Sequence, residues 1–263
     1  MISYLVVCSA SLAVAGLTMY SGFGLGTLLL PVFALFFPVE VAVAATAVVH
    51  SANNLFKIGM VGRHADRSLV LVFGVPALLA ALAGAAALGY VAHFGEVASW
   101  SLGPIQAVIT PLKLSIGLLM LLFALFELLP RLRDIRIDRR YLFWGGILSG
   151  FFGGFSGHQG ALRSTFLTKV GISPEAFVGT NAVIACMVDA ARIAVYAVVF
   201  VQAGSSGPIG PEQWPLVLAA TLAAFAGVRL GKHFLARATM RAIQTLTGAL
   251  LLLIALGLSS GLI

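Results

Sequence analysis

Charge is scarce in this 263-residue chain: 16 Lys and Arg, 9 Asp and Glu, ten per cent together, against sixty per cent apolar residues. Soluble domains carry about a quarter charged residues, and the mean hydropathy here is +1.05. There is too little polar surface to coat a water-facing globule, so lipid is the solvent. Cysteine is equally sparse. Cys8 and Cys186 lie in apolar runs without metal-ligand spacing around them, so they read as small buried hydrophobes. Metal-ligand spacing, P-loop and dinucleotide fingerprints are absent, which argues against ATP-driven transport within this chain, and no cofactor or metal is expected. Residues 1–20 lack a basic leader and run straight on into further apolar sequence, unlike a cleaved signal peptide. The formal charge of +7 does not point to nucleic acid, because the basic residues sit mainly between hydrophobic segments, where they set topology.

What is abundant is apolar sequence in blocks. A crossing helix needs about 20 apolar residues. Blocks fall at 2–20, 22–37, 40–59, 69–92, 107–129, 141–155, 159–171, 175–202, 214–231 and 242–262. The fold class expected is all-α: a polytopic membrane protein with about 8–10 membrane segments. The blocks at 22–37 and 159–171 are short and glycine-bounded, so each is either a full crossing or a re-entrant piece. The connections at 61–68, 130–140 and 232–241 are basic, whereas 93–106 and 203–213 hold no Lys or Arg but carry Glu96 and Glu212. Positive-inside counting puts the three basic loops in the cytoplasm.

An internal repeat follows from placing Ser21-Gly22 over Ser156-Gly157, an offset of 156 − 21 = 135. The same offset sets Glu40 on Glu175, Thr46 on Asn181, Asn54 on Asp189 and Lys57 on Arg192, with Pro38 one residue out of step with Pro174. Loops that correspond under this offset carry opposite charge character. The two halves, about 1–130 and 141–263, are therefore expected as inverted repeats in one transmembrane domain, with the substrate site where broken helices meet at their interface.

Two glycine-rich stretches mark the breaks: Ser21, Gly22, Gly24 and Gly26 in the first half, and Gly153 to Gly160, with Ser156, Gly157, His158 and Gln159, in the second. Glycine in a membrane helix also serves close packing. A break, however, frees backbone N–H groups at the next helix start, and these attract anions. Charged and polar residues lie nearby in apolar surroundings: His50, Asn53, Asn54 and Lys57 in one block, Arg163 after the second break, and Asn181, Asp189 and Arg192 in another. An intramembrane charge needs a partner or a task. Asp189 and Arg192, three apart on one helix, can pair. Lys57 either binds substrate or snorkels to the basic loop. Arg163 has no acid near it in sequence and suits bidentate capture of an oxyanion. His50 and His158 are either neutral hydrogen-bonded groups or carriers of a coupled proton.

Gly154-Phe155-Ser156-Gly157 also matches the nucleophile string of rhomboid-type intramembrane proteases. The base such a serine needs is missing from later membrane segments, and His158 is only two residues away, so the chain is read as no enzyme. A passive anion channel would share the same site, and a membrane-embedded assembly subunit would share the same composition.

The chain resembles the TauE/SafE sulfite exporter family. The likeness rests on Ser21 to Gly26 with Leu28 to Pro31, Pro38 with Ala44 to Thr46, the Gly150 to Gly160 stretch, and Gly179-Thr180-Asn181. The resemblance implies a multi-pass bacterial inner-membrane protein that exports sulfite, sulfoacetate or another small organosulfur anion, with lipid as its other partner. Leu25 interrupts the first glycine stretch, and the second carries His158, Gln159 and Arg163.

Overall fold

The computed structural model describes residues 1–18, 25–133, 135, 137–168, 170–202, 208–234 and 240–263. The chain is mostly helical, as its apolar blocks predict. The helices are α1 (Ile2–Leu17), α2 (Leu25–Ala34), α3 (Val39–Val61), α4 (Arg67–Leu69), α5 (Val75–Ala92), α6 (Pro111–Leu128), α7 (Pro130–Arg133), α8 (Leu142–Ser156), α9 (Gly160–Leu167), α10 (Pro174–Gln202), α11 (Trp214–Phe234) and α12 (Met240–Ser260). A π turn at Val70–Gly74 joins α4 to α5, so Arg67–Ala92 is one 26-residue rod.

Among the described residues, four helices are long and apolar enough to cross a bilayer: Arg67–Ala92, Pro111–Leu128, Pro174–Val199 and Trp214–Gly231. The pure all-α expectation needs one correction. Ala98–Leu102 (β1) and Ile105–Ile109 (β2) form an antiparallel hairpin closed at Gly103, whose φ of +59° favours a residue without a Cβ. The apolar block at 107–129 is therefore split. Thr110 caps the helix by accepting from the Lys113 N–H, and Pro111 takes the first helical position, where its missing N–H costs nothing.

Small residues let the helix backbones touch. A Cβ at Gly150 or Gly154 would collide with the carbonyl oxygens of Ala77 and Ala81, so α8 and α5 run parallel. Gly227 and Gly231 meet the Leu12 and Gly16 carbonyls in the same way, making α11 parallel to α1. The pair α6 and α12 is antiparallel: Gly117 faces Ser259, and Gly248 faces Leu128. So is the pair α3 and α10, where His50 reaches Asp189 and Gly179 lies under the Val61 carbonyl.

The second glycine-rich stretch breaks the chain where the sequence suggests. α8 ends at Ser156, Gly157 adopts φ +83°, and α9 starts at Gly160. α9 then folds back along α8. Ser149 donates to the Gln159 carbonyl at 3.0 Å, the Phe166 ring covers Gly145, and the Ile137 N–H, just before α8, donates to the Thr165 carbonyl at 3.2 Å. The end of α9 thus returns to the level at which α8 begins. At the start of α2, Gly26 lies against the Gly157 carbonyl and the His50 ring.

Exposed aromatics at helix ends, Tyr90, Trp144 and Trp214, suit the headgroup level. Glu127, near the end of α6, is buried at 4% exposure where α6 packs on α12.

Candidate functional site

α3 and α10 cross in the middle of the bundle, and the polar residues they carry converge there. His50 lies 11 residues into α3, roughly 16 Å along its axis at 1.5 Å per residue. Asp189 lies 15 residues into α10, roughly 22 Å along it. Residues 189, 192 and 196 follow at spacings of three and four, so they share one face of α10.

Asp189 is the hub and is fully buried. Its Oδ2 lies 2.6 Å from His50 Nδ1, while its Oδ1 accepts from Arg192 Nε at 3.0 Å, lies 2.8 Å from Arg192 Nη2 and accepts from Gln159 Nε2 at 3.3 Å. One carboxylate thus ties both long polar helices to the α8–α9 break. The three-residue spacing foretold the pairing of Asp189 with Arg192; the His50 contact, 139 residues apart, had no local signal.

Arg192 and Arg163 are both buried but differently engaged. Arg163 donates through Nε to Asn181 Oδ1 and through Nη1 to Gln159 Oε1 at 2.9 Å, so it pins α9 to α10. No acid lies near Arg163 in sequence, and folding supplies side-chain acceptors from Asn181 and Gln159 instead. Arg192 Nη1, by contrast, finds no acceptor among the described residues, although Arg192 is 0% exposed. It lies beside the break, 2.6 Å from where a Cβ on Gly157 would stand. Only glycine at 157 leaves room for it.

Lys57 does not snorkel. It is buried, and Nζ donates to the Thr18 carbonyl at 3.3 Å, at the C-terminal end of α1. Orphan carbonyls at a helix end attract a cation.

Asn54 Nδ2 donates to the His50 carbonyl at 2.9 Å and lies beside the imidazole. Asn53 is completely buried, with neither amide atom partnered among the described residues. His158, though two residues from Ser156, reaches it after all: the turn at Gly157 brings Nδ1 to 2.9 Å from Ser156 Oγ. The imidazole stacks on Phe123, and its Nε2 is buried without a partner among the described residues. Ser156 Oγ is within 3.2 Å of the Phe152 carbonyl, the ordinary resting place of a helix serine. Ser21, Gly22 and Gly24 lie outside the described residues.

Tyr196 escaped the sequence reading. Its hydroxyl donates to the Gly154 carbonyl, at the last turn of α8, and it stands one turn beyond Arg192. The signal was available in the 189–192–196 spacing, but a tyrosine in an apolar run carries no charge to attract notice.

Helices long enough to span lipid, wrapped around three buried cations, an acid and two imidazoles, define an integral membrane protein built to handle charge inside the bilayer. A family model described as sulfite exporter TauE/SafE matches residues 7–258, nearly the whole chain. The chain belongs to that family, and the family is one of membrane transporters. No curated protein matches it.

Proposed function

We propose that the protein is a secondary transporter exporting a small sulfur oxyanion, sulfite or an organosulfonate, across the bacterial inner membrane. The observation that carries this is the Arg192 guanidinium, fully buried at a helix break with Nη1 unclaimed among the described residues. A buried donor left unmade costs about 1–3 kcal/mol, more when charged, and an oxyanion beside Gly157 would recover that cost. His158 Nε2 and the Asn53 amide are the neutral groups that complete the site. Lys57 and Arg163 add positive field, while Arg163, Gln159, Asn181 and Asn54 hold its walls. With His50 neutral, the buried charges of Lys57, Arg163, Arg192 and Asp189 sum to 3 − 1 = +2, favourable to an anion. His50, on Asp189, is the group through which a proton would couple.

The carrier works as two inverted repeats rocking about the site, with the basic loops 61–68, 130–140 and 232–241 cytoplasmic. Paired contacts support this reading. Gly84 packs on the Phe151 carbonyl and Gly231 on the Gly16 carbonyl; 151 − 16 = 135, the offset of the internal repeat, and 231 − 84 = 147, so the second halves of the repeats differ in length by 12 residues at this point. Across α6 and α12, Gly117 faces Ser259 and Gly248 faces Leu128; 248 − 117 and 259 − 128 are both 131. Exchanging the halves maps each contact on its mate. In that arrangement α8 and α9 form a re-entrant hairpin from the cytoplasm, and α1 and α2 enter from the opposite side. The inside-negative potential assists efflux by about 2.3 kcal/mol per charge per 100 mV.

Proteoliposomes loaded with radiolabelled sulfite or sulfonates test the proposal. Saturable efflux with counterflow is expected. Failure of every anion to move or to stabilise the purified protein would refute it, and currents far above carrier turnover would make it a channel.

A further inference from the structure

At the end of the bundle that carries the β1–β2 hairpin, a cavity of about 280 Å³ opens between the start of α3, the last turns of α5 and the end of α10. Its walls include Glu40, Leu88, Gly89, His93 and Thr110, and its wall toward the site is Tyr196. Ala92 and His93 are exposed, so the mouth faces outward from the protein, whereas Tyr196 is 2% exposed. One turn further along α10, about 6 Å by helix rise, lies Arg192. Tyr196 lines the cavity and shares one face of α10 with Arg192 at a spacing of four, so its ring stands between the cavity and the guanidinium's turn of the helix.

The hydroxyl of that ring is not idle. It donates to the Gly154 carbonyl and lies 3.5 Å from the Phe155 carbonyl, both at the C-terminal end of α8 that no helical N–H can satisfy. The opposite ends of α3 and α10 pack closely. Gly179 lies under the Val61 carbonyl, and the Asp66 N–H donates to Thr180 Oγ1 at 2.8 Å.

We infer that this cavity is the outward vestibule of the anion path and that Tyr196 is its inner gate, latched to the broken end of α8. This inference rests on the transport reading. An anion leaving Arg192 for the outside passes only when the hydroxyl lets go of Gly154 and the ring swings into the vestibule. Glu40 at the mouth then repels the released anion, which lowers recapture.

The test is cysteine accessibility in full-length protein in sealed proteoliposomes, in a Cys8→Ala, Cys186→Ala background. The probe is the membrane-impermeant anion sulfonatoethyl methanethiosulfonate, applied from the hairpin face. Ala92→Cys should react readily, and Ser156→Cys, buried at the end of α8 just past the latched carbonyls, slowly. Adding Tyr196→Ala should speed modification of Ser156→Cys by at least about tenfold. Tyr196→Phe, which keeps the ring and loses the hydroxyl, should raise it by up to about tenfold, the worth of one hydrogen bond. An unreactive Ala92→Cys would overturn the vestibule. A Ser156→Cys rate unmoved by either Tyr196 variant, or already fast with Tyr196 present, would overturn the gate. Labelling requires no net flux. A protein that labels as described but moves no sulfite would refute the transport reading alone.

Discussion

Replacing Arg192 with lysine isolates what the guanidinium does. Both members of the Arg192–Asp189 pair are fully buried, so Arg192→Ala would strand a carboxylate and cost about 3–5 kcal/mol, confusing folding with function. Lysine keeps the charge. Arg192 makes two contacts to Asp189 Oδ1, at 3.0 Å through Nε and 2.8 Å through Nη2, and an ammonium can replace one of them while His50 and Gln159 retain theirs. The folded protein should therefore lose about 1–2 kcal/mol, one hydrogen bond to a charged group. Lysine has nothing to put in place of Nη1 beside Gly157. A charge-assisted hydrogen bond to the anion, worth about 1.5–3 kcal/mol, is lost, so sulfite KM should rise by about ten- to a hundredfold. Thermal unfolding in detergent and concentration-dependent flux in proteoliposomes measure the two effects separately. An Arg192→Lys carrier with unchanged KM would refute the assignment of Nη1 to the substrate, whatever its melting temperature.

Lys57→Met removes a buried ammonium and its bond to the Thr18 carbonyl. Since an apolar chain of similar length avoids desolvation, stability should hold within about 1 kcal/mol while sulfite flux falls, and undiminished flux would remove Lys57 from the site. Gly84→Ala and Gly231→Ala force a Cβ into a carbonyl of the neighbouring helix and should each cost about 1–3 kcal/mol by thermal unfolding. Gly59→Ala, exposed within α3 with nothing within 4 Å, should instead gain about 0.5–1 kcal/mol. Ser156→Ala gives up weak contacts to Phe152 and His158 and should keep measurable sulfite flux. Abolished function would revive the reading of Ser156 as a protease nucleophile.

The apolar blocks located the helices closely because a lipid-facing helix must be apolar along its whole length. The block at 175–202 is α10, and 141–155 is α8 within a residue or two. The hairpin at 98–109 was hidden. Its first strand is fully exposed, so no buried alternation marks it, and its second runs straight into an apolar helix. The break after Ser156 was legible because glycine at 157 both takes a left-handed φ and leaves space for a guanidinium.

Sequence by itself determined the solvent, the helix positions, the chain break and the Asp189–Arg192 pairing, all consequences of composition or of spacing within one turn. Only tertiary structure decided which buried cation is satisfied. Arg163 finds Asn181 and Gln159, Lys57 finds the end of α1, and Arg192 keeps Nη1 without an acceptor among the described residues. Satisfaction of a buried donor depends on acceptors brought from distant helices at ångström precision, and that information resides in how helices pack against one another.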